Sequence, residues 1–198
     1  MNKTKPVVVF ATHNPNKARE VQQLLGDAYT VKSLTDIGCH EEIAETAETL
    51  EGNARIKAMH VVEHYGLDCF ADDTGLEVKA LDGRPGVRTA RYAGEHADSD
   101  QNMAKLLQEL DGAPTREARF RTSICLVRAG EAVQLEGVCN GRIAEQRSGA
   151  EGFGYDPVFI PEGETQTFAE MSAEEKNRIS HRGKAVRLMV ETLLASQS

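Results

Sequence analysis

The sequence predicts an α/β fold. Three observations carry that expectation: a β-branched run at residues 7–11 leads directly into a helix-start signal, a second buried-strand pattern begins at Cys69, and amphipathic helices with recognisable caps lie between and after the strand runs. With 198 residues, 40% hydrophobic, 27% charged and only 6 prolines, the chain can bury a proper core without staples, as one domain or as two lobes sharing one sheet.

Val7-Val8-Val9-Phe10-Ala11 has the composition of a strand buried on both faces. In Thr12-His13-Asn14-Pro15-Asn16-Lys17, Asn14 suits the N-cap and Pro15 the first helical position, and Val21, Leu24 and Leu25 then recur at helical spacing up to Gly26. A strand feeding a helix start offers free N–H groups and a positive dipole end to an anion, and Lys17 adds a full charge beside Thr12 and Asn14. A helix cap with an exposed lysine accounts for the same residues, and the Gly-x-x-x-x-Gly-Lys-Ser/Thr loop is absent.

Residues 31–38 predict a short strand and turn, followed by the acidic run Glu41, Glu42, Glu45 and Glu48, most of it solvated. Leu50, Ala54, Ala58, Val61, Val62 and Tyr65 form one apolar face of a helix that starts near Thr49 and ends at Gly66, with Lys57 off that stripe. Cys69-Phe70-Ala71 then predicts a buried strand, with Asp72 and Asp73 emerging at its end where Gly75 turns the backbone sharply. Adjacent carboxylates there suit a hard cation such as Mg²⁺, and they equally suit a solvated acidic turn.

Leu76-Glu77-Val78 alternates like a strand, and Gly83-Arg84-Pro85-Gly86 is turn chemistry. Asp98-Ser99-Asp100-Gln101 forms a capping box ahead of Met103, Leu106, Leu107 and Leu110, a helix closed by Gly112 and Pro114. Residues 120–127 and 133–139, joined through Ala129-Gly130, predict a β-hairpin. Gly149-Ala150-Glu151-Gly152-Phe153-Gly154-Tyr155-Asp156-Pro157 predicts a loop in which backbone approaches a ligand and Phe153 offers a face to a base, or else a glycine-rich turn with Phe153 in the core; Val158-Phe159-Ile160 returns to the sheet. Ser172-Ala173-Glu174-Glu175 is another capping box, and Val186, Met189, Val190, Leu193 and Leu194 form the buried face of a final helix. His181 and Arg182 stand at the start of that helix, where the dipole does not favour cations; a ligand explains them better than a solvated face does.

Cys39, Cys69, Cys125 and Cys139 lack Cys-x-x-Cys spacing and a nearby histidine pattern for zinc, so they are expected as reduced, buried thiols. A formal net charge of −8 disfavours extended DNA or RNA, yet leaves room for a small phosphate ligand if basic residues cluster locally and a metal neutralises the rest. The apolar runs are too short to span a bilayer and Met1-Asn2-Lys3-Thr4-Lys5 leads into the first strand without a signal-peptide region, so a cytoplasmic location is expected.

Four blocks, Thr12-x-Asn14-x-x-Lys17, Ala71-Asp72-Asp73-Thr74-Gly75, Gly152-Phe153-Gly154-Tyr155-Asp156-Pro157 and Ser180-His181-Arg182-Gly183, together resemble the inosine triphosphate pyrophosphatase family, also called XTP/dITP diphosphatases or non-standard purine NTP pyrophosphatases. The resemblance runs from about Val7 to Leu194, with the blocks in the family's order. It implies an elongated two-lobed α/β fold, with a long central mixed sheet flanked by helices and the active site in the cleft between lobes. The chain would then be a single nucleoside triphosphate pyrophosphatase domain over residues 1–198, usually a homodimer. The implied reaction hydrolyses dITP, ITP and XTP to the monophosphate and pyrophosphate, which keeps deaminated bases out of DNA and RNA.

Position by position, the resemblance implies that Thr12, His13, Asn14, Pro15, Asn16 and Lys17 hold the triphosphate with help from Lys57. Asp73 matches the proton acceptor and an Mg²⁺ ligand, Glu45 a second metal-side carboxylate, and Asp72 a ligand or a group supporting one. Thr74 contacts substrate, Phe153 stacks on the purine with Gly154, Tyr155 and Asp156 completing that wall, and Lys176, His181 and Arg182 recognise the base. Three residues depart from the pattern: His13 and Ala47 stand where glycine is common, and Gly52 replaces an acidic residue before Asn53. Two other readings stay open from sequence, a nucleotide sensor that keeps the pocket without turnover and a metal-dependent phosphatase or nuclease acting on larger substrates; intact Asp73, Thr74 and Lys17 weigh against the first and the acidic net charge against the second.

Overall fold

The computed structural model describes residues 5–195, and the side chain of Leu194 is outside that description. The expectations for Met1 to Thr4 and for the packing of Leu194 therefore lie outside the described residues. Among the described residues seven strands form one mixed sheet in the order β2-β1-β3-β5-β6-β7, with β4 paired to β3. They are β1 (Val7–Phe10), β2 (Thr30–Lys32), β3 (Cys69–Val78), β4 (Pro85–Gly86), β5 (Glu117–Arg128), β6 (Glu131–Ile143) and β7 (Phe159–Pro161). Five α-helices accompany them: α1 (Pro15–Leu25), α2 (Leu50–Tyr65), α3 (Ser99–Glu109), α4 (Ala173–Ile179) and α5 (His181–Ala195). The expected α/β class with a mixed sheet is what the chain adopts, and none of these helices is long and apolar enough to cross a membrane.

The chain divides into two compact units. The first comprises Met1–Asp73, Thr122–Gly137 and Gly183–Ser198. Here β1 pairs in parallel with β2 and β3, and Phe10, opposite Phe70 in that register, stacks on it at 4.5 Å. Alternate strand residues point to opposite faces, and both faces are covered. Val8, Phe10, Phe70, Ile124 and Leu126 pack with Val21, Val186 and Met189 of α1 and α5, whereas Val9, Ala11, Cys69, Ala71, Cys125 and Val127 pack with Ala54, Ala58 and Val61 of α2. That two-sided burial is why these strands are apolar runs without polar alternation.

The second unit comprises Thr74–Arg121 and Val138–Arg182. Its core gathers Leu76, Met103, Leu106, Phe120, Phe159 and Phe168, and the Asp98–Gln101 capping box starts α3 as the sequence predicts. Ala129 and Gly130, both at positive φ, make the two-residue turn between β5 and β6. All four cysteines are free and buried.

One local expectation is overturned. Asp72-Asp73-Thr74-Gly75 is not a turn; β3 runs straight through it from Cys69 to Val78. The cause is pairing on either side, with β1 up to Phe70 and with β4 at Leu76 and Glu77, which holds the intervening backbone extended. Gly75 is buried strand interior, and the bend falls later, at Gly83 and Gly86, both at positive φ.

Candidate functional site

In the first unit the strand carries Asp72 and Asp73 into the interior, where they are 2% and 8% exposed. This removes the solvated-turn reading, because a buried carboxylate needs partners. Lys17 on α1 donates to Asp72 Oδ1 at 3.0 Å, Lys57 on α2 donates to Glu45 Oε1 at 2.5 Å, and Asn53 Nδ2 donates to Asp73 Oδ2 at 3.1 Å.

Burial pushes the Asp73 carboxyl up to about 6; Lys57 pulls against that, Glu45 reinforces it, and Lys17 and the Asn53 hydrogen bond also pull it down. Burial works against the charge on Lys57, but Asp72, Glu45 and Asp73 outweigh it and the net shift is upward. The cluster is thus a carboxylate near neutrality beside a firmly cationic lysine. Its three acidic side chains offer oxygen alone, the donor chemistry that a hard divalent cation takes. Glu45, Asp72 and Asp73 do not bring one oxygen each within 4.8 Å of one another; among the described residues the trio that reaches such spacing is Cys39, Glu41 and His60.

The loop before α1 satisfies its own donors. Asn14 caps the helix as predicted, its Oδ1 accepting from Asn16 N at 2.9 Å and Lys17 N at 3.3 Å, while Thr12 Oγ1 accepts from Asn14 N at 3.0 Å. The N–H groups expected to be free are therefore occupied. His13 and Pro15 are exposed, and His13 Nε2 lies 2.9 Å from the Glu41 carbonyl.

In the second unit Phe153 is half-buried, with Lys176 Nζ 4.9 Å and Arg182 Cζ 5.5 Å from its ring centroid. Asp156, 4% exposed, accepts from Phe153 N at 2.8 Å and from Lys176 Nζ at 2.7 Å through the same Oδ2. Gly152, at φ +77°, is required here, since a Cβ would meet that Oδ2 at 2.1 Å; Gly154, also at positive φ, has open space. Tyr155 is buried and donates its phenol to the Thr89 carbonyl at 2.8 Å, so its side chain secures the loop. His181 stacks on Phe120 at 4.5 Å, and Arg182 Nη2 donates to Thr74 Oγ1 at 3.4 Å.

Two features escaped the sequence reading. Asn53 is fully buried and also accepts from Ala47 N at 2.9 Å, so it fixes the Glu45 loop as well as Asp73. Asn53 and Lys57 are four apart and so share one edge of α2 beside the apolar stripe, but that spacing does not show what they meet. The second is the coupling of two departures. A Cβ at position 52 would lie 2.5 Å from the Ala47 Cβ, so Ala47 fills the room that any side chain at Gly52 would need.

The chain is thus a mixed-sheet α/β protein with buried carboxylates set against lysines in one unit and an aromatic ring flanked by cations in the other. The chain belongs to the Ham1 family, whose model matches residues 8–192. It is 53% identical over 184 residues to a dITP/XTP pyrophosphatase of Flavobacterium psychrophilum, covering 93% of this chain and 97% of the relative. It is 45% identical over 191 residues to the Bacillus subtilis protein of the same name, covering 94% and 96%. Among solved structures, a HAM1 protein from Coxiella burnetii superposes with a TM-score of 0.88 at 36% identity, covering 96% of this chain and 99% of that one. The Staphylococcus aureus Ham1 protein gives 0.86 at 34% identity, covering 97% and 100%. The resemblance carried by the four sequence blocks is borne out.

Proposed function

We propose that this chain hydrolyses deaminated purine nucleoside triphosphates, dITP, ITP and XTP, to the monophosphate and pyrophosphate, clearing hypoxanthine and xanthine nucleotides before they enter DNA or RNA. Membership of the Ham1 family and the names of its relatives support the reaction. The single observation that carries the chemistry is Asp73, a buried carboxylate raised to about 6 and flanked by Lys17 and Lys57. Such a group stays largely ionised at neutral pH yet accepts a proton readily, as a general base requires.

In this reading Lys17 and Lys57 bind the phosphates and disperse charge that builds on them. Asp73 orients a water and takes its proton as the water oxygen bonds to phosphorus; the anhydride bond between the α- and β-phosphates breaks and pyrophosphate leaves. The donors are all oxygen, the chemistry Mg²⁺ takes, and Glu45, Asp72 and Asp73 would hold that ion after closing from the wider spacing they have here; it would supply charge neutralisation and a more acidic water. Phe153 stacks on the purine, and the Asp156 carboxylate keeps that ring and Lys176 in place. Donors from His181 and Arg182 meet the 6-keto oxygen; the 6-amino group of adenine opposes donor with donor and leaves buried groups unpaired, at about 1–3 kcal/mol each. A homodimer, which the family resemblance implies, and a cytoplasmic location complete the proposal.

Pyrophosphate release from dITP, XTP, GTP and ATP with Mg²⁺, for the wild type and Asp73→Asn, tests this. Rapid release from dITP and XTP, weak release from GTP and ATP and loss in the variant are expected. Orthophosphate in place of pyrophosphate, or full activity in Asp73→Asn, would refute it.

A further inference from the structure

Away from the Asp72-Asp73 carboxylates, a different set of side chains gathers on the first unit. The Cys39 Sγ, a Glu41 carboxylate oxygen and a His60 ring nitrogen all lie within 4.8 Å of one another. Sequence spacing hides the set, because Cys39-x-Glu41 lies in a loop and His60 lies on α2. We infer that Cys39, Glu41 and His60 bind a divalent cation of the zinc class.

The donor chemistry selects the ion. Thiolate, imidazole and one carboxylate suit Zn²⁺ or Co²⁺, whereas Mg²⁺ demands oxygen ligands and does not compete. The geometry needs only a small adjustment. In a tetrahedral zinc site with bonds of about 2.0–2.3 Å, ligand atoms stand roughly 3.3–3.7 Å apart. His60 Nε2 and Glu41 Oε1, now 2.8 Å apart, must open slightly, and Cys39 Sγ must close on them by about 1.5 Å at most. The Glu41 side chain, 56% exposed, has the freedom to do this and marks the entry side, while Cys39 is fully buried behind it.

The surroundings support an ion. His64 stacks on His60 at 4.2 Å and is anchored through its Nδ1 to the His60 carbonyl at 3.0 Å, so the imidazole that presents Nε2 is braced. On binding, the Cys39 S–H bond breaks, its proton goes to solvent and the sulfur electron pair goes to the metal; neutral His60 donates through Nε2, Glu41 through one oxygen, and water fills the fourth position. Because the Glu41 carbonyl also meets His13, occupancy would reach the loop before α1.

The test is a Co²⁺ titration of the metal-free full chain, read by thiolate-to-cobalt charge-transfer absorption. A saturable one-to-one band is expected, displaced by Zn²⁺ but not by excess Mg²⁺, and unchanged in Cys125→Ser and Asp73→Asn. Cys39→Ser should abolish the band and His60→Gln should weaken binding at least tenfold. Since Cys39 is in the core, Glu41→Gln gives an independent check at an exposed position, with the same tenfold weakening expected. Absence of a saturable band, survival of the band in Cys39→Ser, or full affinity in both Glu41→Gln and His60→Gln would overturn the assignment.

Discussion

Asn53 joins Asp73 to the Glu45 loop: its Nδ2 donates to Asp73 Oδ2 at 3.1 Å while its Oδ1 accepts from Ala47 N at 2.9 Å, and the side chain is fully buried. Asn53→Ala removes both bonds and leaves a buried carboxylate oxygen and a backbone N–H short of a partner. A stability loss of about 1–3 kcal/mol is expected by chemical denaturation. The hydrogen bond also pulls the Asp73 carboxyl down, so its loss raises the proton affinity of that group. The acid limb of the kcat/KM profile for dITP should move to higher pH. An unmoved limb with an unchanged denaturation midpoint would contradict the positioning role.

Asp73, the base in the proposed mechanism, would set activity against stability. Its folded-state proton affinity corresponds to about 6 against 3.8 for the unfolded chain, with burial as the leading cause. A raised carboxyl contributes fully below the unfolded value, and that contribution is lost as pH rises through the folded value. Asp73→Asn cannot ionise and so escapes the loss. Measured without divalent cations, the stability of Asp73→Asn relative to wild type should grow by roughly 2–3 kcal/mol between pH 4 and pH 8, although turnover is abolished. A difference that stays flat over that range would show that Asp73 is not the strained ionised group proposed.

Legibility in the sequence followed the range of the interactions. Caps and periodicity are local, so Asn14, Thr49, Asp98 and Ser172 were readable as helix starts and all four act as such. The carboxylate pair is legible by chemistry but not in conformation, because the pairing that straightens Asp72 to Gly75 comes from β1, far upstream, and from β4, across the turn that follows. Asn53 and the Cys39–Glu41–His60 trio were illegible for the same reason: each depends on a loop folding back onto α2. The glycines around Phe153 suit a core role and a ligand role alike; its half-exposed ring beside Lys176 and Arg182 is tertiary information.

Lys176 and Asp156 form a buried ion pair, 6% and 4% exposed at 2.7 Å, which also holds the backbone of Phe153. Lys176→Met strands a buried carboxylate, at about 3–5 kcal/mol, whereas Lys176→Met with Asp156→Asn removes both charges and should recover part of that loss. If the aromatic wall binds the base away from the reacting bond, as proposed, the single variant should also raise KM for dITP more than it lowers kcat. Denaturation curves for the two variants, with steady-state kinetics on the single one, decide the point; a double variant less stable than the single one would argue against the pair as drawn.

Ala47 and Gly52 form a compensated pair that a double-mutant cycle can expose. Gly52 is the third residue of α2, and its N–H bonds to the Thr49 cap at 3.1 Å. On helix propensity alone Gly52→Ala should stabilise by up to about 1 kcal/mol. Instead the new methyl would fall 2.5 Å from the Ala47 Cβ and 3.0 Å from Thr49 Oγ1, the cap itself. The single variant is therefore expected to lose about 1–3 kcal/mol through overpacking. Ala47→Gly empties the same space, so Ala47→Gly with Gly52→Ala should be more stable than the sum of the two single effects, with a coupling of about 1 kcal/mol or more. Thermal or chemical denaturation of the four proteins measures it. Because Ala47 N is also the donor that Asn53 accepts, the cycle should appear in the acid limb of the rate profile as well: the overpacked variant should shift it and the double variant should bring it back. Additive effects in both readouts would mean that positions 47 and 52 tolerate change independently, and the close approach would then have no energetic weight.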